Sequence, residues 1–175
     1  MVQVRNRSES VKHLYLRDIL AARSRLHDHG ALLILNSYPL MAAESILPEG
    51  YHVPEDGDLA QYRTIIGPRW LVGKSIHSVD AAIRSADQGA DYLVAGTIFR
   101  SLSHPLIRPQ GLRFLERVCR AVSIPVIAIG GIKPSNVNDC MATGAAGVAV
   151  LSPIMRAKDP REVARAYRDA LDSTI

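Results

Sequence analysis

Between Ile124 and Ser152 the chain reads IPVIAIGGIKPSNVNDCMATGAAGVAVLS, and few folds accommodate that stretch. Val126-Ile127-Ala128-Ile129 is a continuous apolar run bounded by Pro125 and by Gly130-Gly131, the pattern of a strand buried on both faces in a parallel sheet. Asn136 to Thr143 reads as a short helix with Pro134 and Ser135 at its first turn, and Gly147 to Ser152 as a second buried strand. Two such strands joined by a helix are expected to lie parallel through a right-handed crossover. Gly130-Gly131 closes the first strand and Leu151-Ser152-Pro153 the second, so backbone amides at both ends form an expected cradle for a phosphate. Many β/α barrels place a phosphate at their last strands in this way.

The same unit recurs along the chain. Strands are expected at Val2–Arg5, Ala31–Asn36, Gly50–Val53, Trp70–Ser75 and Tyr92–Ala95, ahead of the two already described. Helices are expected at Glu9–His29, from about Pro39 to Ser45, and at Gly57–Ile66, Ser78–Gln88, Leu112–Ala121 and Pro160–Asp172. Strict alternation implies a parallel sheet with helices outside it. The expected fold is an α/β (βα)8 TIM-barrel-like domain spanning 1–175, with seven strands and its first βα unit lacking; a flat doubly wound sheet is the rival. The missing unit would be supplied by a fused or partner N-terminal segment, and a homo-oligomer is the other arrangement considered, because open sheet edges are costly.

Composition narrows the function. Only 5% of residues are aromatic against 47% hydrophobic, so the interior must be built from aliphatic side chains. The net charge of +4 suits an anionic ligand, but the basic residues are scattered, which argues against nucleic acid. No apolar run of membrane-spanning length is present, and a cytoplasmic location is expected. Cys119 and Cys140 lack metal-ligand spacing and read as buried reduced thiols.

In a barrel the reactive groups lie at strand C-termini and in the loops after them. The candidates are Arg5 and Arg7, Asn36, His52 with Glu55, then Lys74, Ser75 and His77, then Thr97, Ser101, Ser103 and His104, and finally Gly130, Gly131, Leu151 and Ser152. This set is rich in cations, hydroxyls and amides and poor in carboxylates, as a phosphorylated substrate requires. Each has a plainer reading as well: Arg7 as a surface residue, Asn36 as a turn former, His77 as a helix-start histidine. His52 has no His or Cys at ligand spacing and is not expected to hold zinc. The loop from Arg100 to Gly111 has the look of a lid.

The stretches VQVRNRS, LLILNSYPLMAA, VGKSIHSVDAA, ADYLVAGTIFRSLSHP and IPVIAIGGIKPSNVNDCMATGAAGVAVLSPI resemble the thiamine phosphate synthase superfamily, which includes the thiazole tautomerases. The resemblance begins at the second strand of a (βα)8 barrel. It implies two activities. A synthase joins a pyrimidine pyrophosphate to thiazole phosphate with Mg2+ held by aspartates. One of those aspartates would follow Asn36, where this chain has Ser37; the other falls in HVPEDGD, where Asp56 and Asp58 are the available acids. The lysine of the phosphate-gripping loop is His104 here. A tautomerase needs no metal and works through the histidine of a GRSVHS-like segment, here Gly73-Lys-Ser-Ile-His77-Ser. The departures at the metal positions favour the tautomerase, with no cofactor, His77 moving the proton and a phosphorylated thiazole as ligand. The synthase, with Mg2+, and a non-catalytic phosphate-ligand-binding or regulatory protein are the alternatives.

Overall fold

A computed structural model describes residues 1–5, 16–36, 47–101 and 106–173. The expected helix from Pro39 to Ser45 and the residues Arg7, Ser37, Ser103 and His104 lie outside the described residues. Elements in chain order are β1 (Val2–Arg5), α1 (Leu16–Asp28), β2 (Leu33–Asn36), β3 (Gly50–Val53), α2 (Leu59–Ile66), β4 (Leu71–Ile76), α3 (Val79–Asp87), β5 (Tyr92–Gly96), α4 (Gly111–Ala121), β6 (Val126–Ile129), a 3-10 turn (Pro134–Asn136), α5 (Val137–Ala142), β7 (Gly147–Ala149), α6 (Ser152–Met155) and α7 (Pro160–Asp172). The strand–helix alternation expected from the sequence is present among the described residues, apart from the step from β2 to β3, where the expected helix lies outside them. The chain divides into two compact units, Met1–Lys74 with Gln88–Asp91, and Ser75–Asp87 with Tyr92–Ile175.

In the first unit β1, β2, β3 and β4 pair in parallel and in chain order, with Arg5 opposite Asn36, Asn36 opposite His52, and His52 opposite Gly73. Chain order among neighbours is the arrangement of a β/α barrel; a doubly wound sheet reverses direction. β2 is buried along its whole length, as its unbroken Leu-Ile-Leu run requires. Ile19, Leu33, Leu35 and Tyr51 form the core here, with Val4, Leu26, Tyr62, Ile66 and Trp70 packed around it. Tyr51 and Trp70 meet edge to face at 6.3 Å and 77°. Arg63 on α2 ties this unit together by donating to the carbonyls of Trp70 and Gly89 and to the Asp91 carboxylate. Asp91 in turn accepts from the Val72 amide at 2.7 Å.

In the second unit β5, β6 and β7 again pair in parallel and in order, with Gly96 opposite Ile129 and Ile129 opposite Ala149. Leu93, Ala95, Ile98, Leu115, Val118, Val126, Ala128, Val137 and Cys140 are fully enclosed or nearly so. Ser78 accepts from the Ala81 amide at 3.1 Å and starts α3, the capping role its position implied. α7 covers the residues expected, with Asp159 accepting from the Arg161 and Glu162 amides.

Two expectations for the closing strands need correction. β6 is not buried on both faces: Val126 and Ala128 are covered while Ile127 and Ile129 are only partly so. The second strand ends at Ala149 instead of continuing to Ser152, and all three of its residues are half-buried. Leu151 turns out of the extended path at φ −123° and ψ −75°, and Pro153 sits in the first turn of α6, so the chain enters a helix where an apolar pattern read as strand. Leu151 is consequently 66% exposed. The helix expected from Asn136 begins instead as the 3-10 turn and becomes α-helical at Val137. Both cysteines are free thiols, Cys140 buried and Cys119 only half-buried. Burial pushes the Cys140 thiol up to about 11 and raises that of Cys119.

Candidate functional site

The described candidate residues fall into two groups, one in each unit. In the first unit the strand register sets Arg5, Asn36 and His52 side by side at the C-terminal ends of β1, β2 and β3. Arg5 is exposed. Asn36 is 5% exposed, and its Nδ2 donates to Gln3 Oε1 at 3.0 Å, so it is more than a turn former. Gln3, two residues before Arg5 in VQVR, is a polar group that the sequence reading passed over. His52 is 1% exposed. Desolvation lowers its pKa to about 4, with Arg5 and Lys74 adding to the effect, so its ring is neutral at physiological pH.

Lys74 faces the loop that follows β3. Its side chain is buried, and Nζ donates to the carbonyl oxygens of Pro54 at 2.9 Å and Glu55 at 3.0 Å and also to that of Gly57. An ammonium has three donors, and this loop offers an acceptor to each. Desolvation lowers the Lys74 pKa, while Asp56, Asp58 and Glu55 work in the opposite direction.

These residues can be tested for a divalent cation of the kind a synthase would use. A hard cation needs converging oxygens and anionic charge. The oxygens that converge in the loop after β3 do so on Lys74 Nζ. Asp58 is engaged as the cap of α2, accepting from the Gln61 amide at 3.1 Å. The residue after Asn36 is Ser37, which brings no anionic charge. Among the described residues no group of three or more His, Cys, Asp or Glu side chains is arranged to hold a metal. The described donor set does not fit Mg2+.

The second unit carries His77 and the glycine-bearing strand ends. His77 follows β4, is exposed, and places Nδ1 2.5 Å from the Gly96 carbonyl oxygen at the end of β5. A carbonyl only accepts, so Nδ1 carries the proton and in the neutral ring Nε2 carries the lone pair. Gln110 Nε2 donates to the same carbonyl at 2.9 Å, and the Gln110 amide donates to Thr97 O at 2.9 Å. Gln110 was not singled out from the sequence; its position immediately before α4 was the available signal.

Gly96 pairs with Ile129, one residue before Gly130, so the His77 anchor and the glycine turn lie on adjacent strand ends. Gly130 and Gly131 both have positive φ, 98° and 66°. A Cβ on Gly131 would lie 2.5 Å from Arg100 O, and one on Gly130 would lie 2.5 Å from Thr97 Cγ2. The segment after β5 thus presses directly on this turn, with Ile98 N donating to Ile129 O and Phe99 N to Gly130 O, both at 2.9 Å. Side chains fix three further groups of this segment. Tyr167 on α7 donates from its hydroxyl to Ile132 O at 2.8 Å, Asn136 Oδ1 accepts from the Lys133 amide at 2.8 Å, and Asn136 Nδ2 approaches Gly131 O at 3.4 Å. No spacing in the sequence connected Tyr167 to a turn 35 residues earlier. Ser75, Ser101 and Ser152 are each half-buried, and Ser152 opens α6. Among the described residues no helix is long and apolar enough to cross a membrane.

A parallel β/α fold in chain order, with polar groups and glycine turns at strand C-termini, is that of a protein of the β/α-barrel class. The comparisons make it specific. Residues 1–154 match the family model for thiamine monophosphate synthase. The chain is 39% identical over 166 residues to the thiamine-phosphate synthase of Methanoculleus marisnigri, covering 91% of this chain and 78% of that one. It is 37% identical over 177 residues to the thiamine-phosphate synthase of Caldivirga maquilingensis, covering 98% and 83%. The solved thiamine phosphate pyrophosphorylase from Pyrococcus furiosus superposes with a TM-score of 0.86 at 26% identity, covering 99% of this chain and 82% of that one. The chain belongs to the thiamine monophosphate synthase family, and its fold is TIM-barrel-like, with seven strands among the described residues. It is an enzyme of thiamine biosynthesis. The tautomerase reading favoured by the departures at the metal positions gains no support from these relatives, which carry the synthase name.

Proposed function

We propose that the protein is a thiamine-phosphate synthase, joining hydroxymethylpyrimidine pyrophosphate to thiazole phosphate. The observation that carries this reading is identity at 39% across nine-tenths of the chain to a protein of that name. In the reaction a bond forms between the thiazole nitrogen and the pyrimidine methylene carbon. The bond from that carbon to the pyrophosphate oxygen breaks, and pyrophosphate leaves with the electron pair. The residues at the strand ends supply binding and orientation. The turn at Gly130 and Gly131 and the amides of Leu151 and Ser152 hold the thiazole phosphate, with Ser75 and Ser101 as further hydroxyl partners. Arg5 offers a guanidinium fork to an anionic group of either substrate. Arg7, Ser103 and His104 are proposed as further contacts on the sequence alone.

A second reading retains one specific observation in its favour. The bond from His77 Nδ1 to Gly96 O holds the ring in the tautomer whose Nε2 is the base, as proton transfer on thiazole carboxylate phosphate would require. One pair of assays separates the two. With both synthase substrates the protein should release pyrophosphate and form thiamine phosphate. With thiazole carboxylate phosphate alone the synthase reading expects no tautomer conversion. Conversion that His77→Asn abolishes, without any pyrophosphate release, would replace the first reading by the second. Stabilisation by thiazole phosphate with neither turnover would leave a phosphate-ligand binder.

A further inference from the structure

The loop after β3 is where the family resemblance puts an acid for Mg2+, and it is the loop that Lys74 occupies. Three carbonyl oxygens, from Pro54, Glu55 and Gly57, point at one buried cationic nitrogen. Desolvation lowers its pKa, and the charges of Asp56, Asp58 and Glu55 oppose that shift. Backbone carbonyls are among the ligands a hard cation collects, and here three of them have collected an ammonium. The placement follows from the register. Val53 lies opposite Lys74, so the lysine leaves β4 beside the point where the chain leaves β3. Gly57 lets the turn close on itself, since a Cβ there would lie 2.6 Å from Val53 Cγ1. The turn is sealed by the Gly57 amide donating to Pro54 O at 3.0 Å.

We propose that Lys74 is an internal cation that takes the place of a divalent metal in the loop after β3, so that this chain orders residues 54–58 without Mg2+. The inference builds on the family assignment and on the synthase reading, but its test does not need turnover. A metal ion is exchangeable and is removed by chelators; a lysine is permanent and compact, with a single charge. The loop is therefore preformed at all Mg2+ concentrations, and the chain contributes one positive charge where a metal would bring two.

The test uses the full chain, with MgCl2 as the only ligand. Isothermal titration of the wild type with MgCl2 should give no saturable heat at sub-millimolar concentrations. Hydrogen exchange at the amides of residues 55–58 should be the same with Mg2+ and with chelator. In Lys74→Met those amides should exchange about tenfold or more faster, as a local opening eased by one charge-assisted bond implies. Lys74→Arg, which keeps the charge, should fall between the two. A saturable Mg2+ site in the wild type overturns the proposal, as does exchange at 55–58 that Mg2+ slows or that Lys74→Met leaves unchanged. If Lys74→Met does not fold, the two wild-type measurements still decide it. Absence of pyrophosphate release would count against the synthase reading alone, and Mg2+ binding with normal turnover would count against Lys74 alone.

Discussion

The loop after β3 and the turn after β6 solve the same problem by opposite means. Both leave a parallel strand and must hold backbone polar groups in a defined direction. The first is organised from inside by a charge, with Lys74 Nζ gathering three carbonyl oxygens. The second is organised by the absence of side chains, with Gly130 and Gly131 in the left-handed region under the segment after β5. Asn136 holds the Lys133 amide and approaches Gly131 O, and Tyr167 holds Ile132 O. A charge directs carbonyls toward itself and makes that loop a poor receptor for a second cation. A glycine turn brings backbone close to whatever approaches, as an anion site requires.

The contrast can be broken at either end. The largest effect is expected at the glycines. Gly131→Val places a branched side chain at φ 66° with Cβ 2.5 Å from Arg100 O. Left-handed strain and overpacking together should cost about 2–5 kcal/mol, read as a fall in the denaturation midpoint. Next is a pH effect in the first unit. The His52 pKa is lowered to about 4 in the folded chain from an ordinary 6.5. Above pH 6.5 the ring is neutral in both states. Between 6.5 and 4 the unfolded chain takes the proton and the folded one does not, so stability falls by roughly 3 kcal/mol as the pH drops through that window. His52→Asn should flatten that part of the stability–pH curve; an unaltered slope would mean the burial of His52 is not its cause.

Smaller effects sharpen the comparison. Lys74→Met removes one cation from three carbonyls and should cost about 1–3 kcal/mol by denaturant unfolding. The loss should be the same with and without Mg2+. Tyr167→Phe deletes a single buried hydrogen bond to Ile132 O and should cost about 1 kcal/mol. Its sharper readout is kinetic. If the Tyr167 hydroxyl positions the phosphate turn, KM for thiazole phosphate should rise while KM for the pyrimidine substrate stays the same.

Much of this was legible in the residues. The apolar runs Leu-Leu-Ile-Leu and Tyr-Leu-Val-Ala, each bounded by a glycine or polar break, announced strands, and Ser78 and Pro160 announced helix starts. The fold class followed from their alternation. What misled was Val150-Leu151-Ser152, which continues a strand pattern yet turns into α6, because Pro153 favours a first helical turn and the chain bends two residues earlier. At the site, the glycine pair and His77 could be picked out because their residue types are informative alone. Gln110 and Tyr167 could not, since each matters only through one bond to a backbone carbonyl that the fold brings close. Lys74 was visible as a cation at a strand end, but its direction, inward onto carbonyls, belongs to the register of β3 with β4.

The turn after β6 is the proposed phosphate site, and the proposed function depends on it. Titrating inorganic phosphate into the isotopically labelled protein and following the amide resonances tests it directly. Saturable shifts concentrated at residues 130–132 and 151–153, diminished in Gly131→Ala, are the predicted result. Shifts that spare both segments, or that concentrate on the loop held by Lys74, would contradict it.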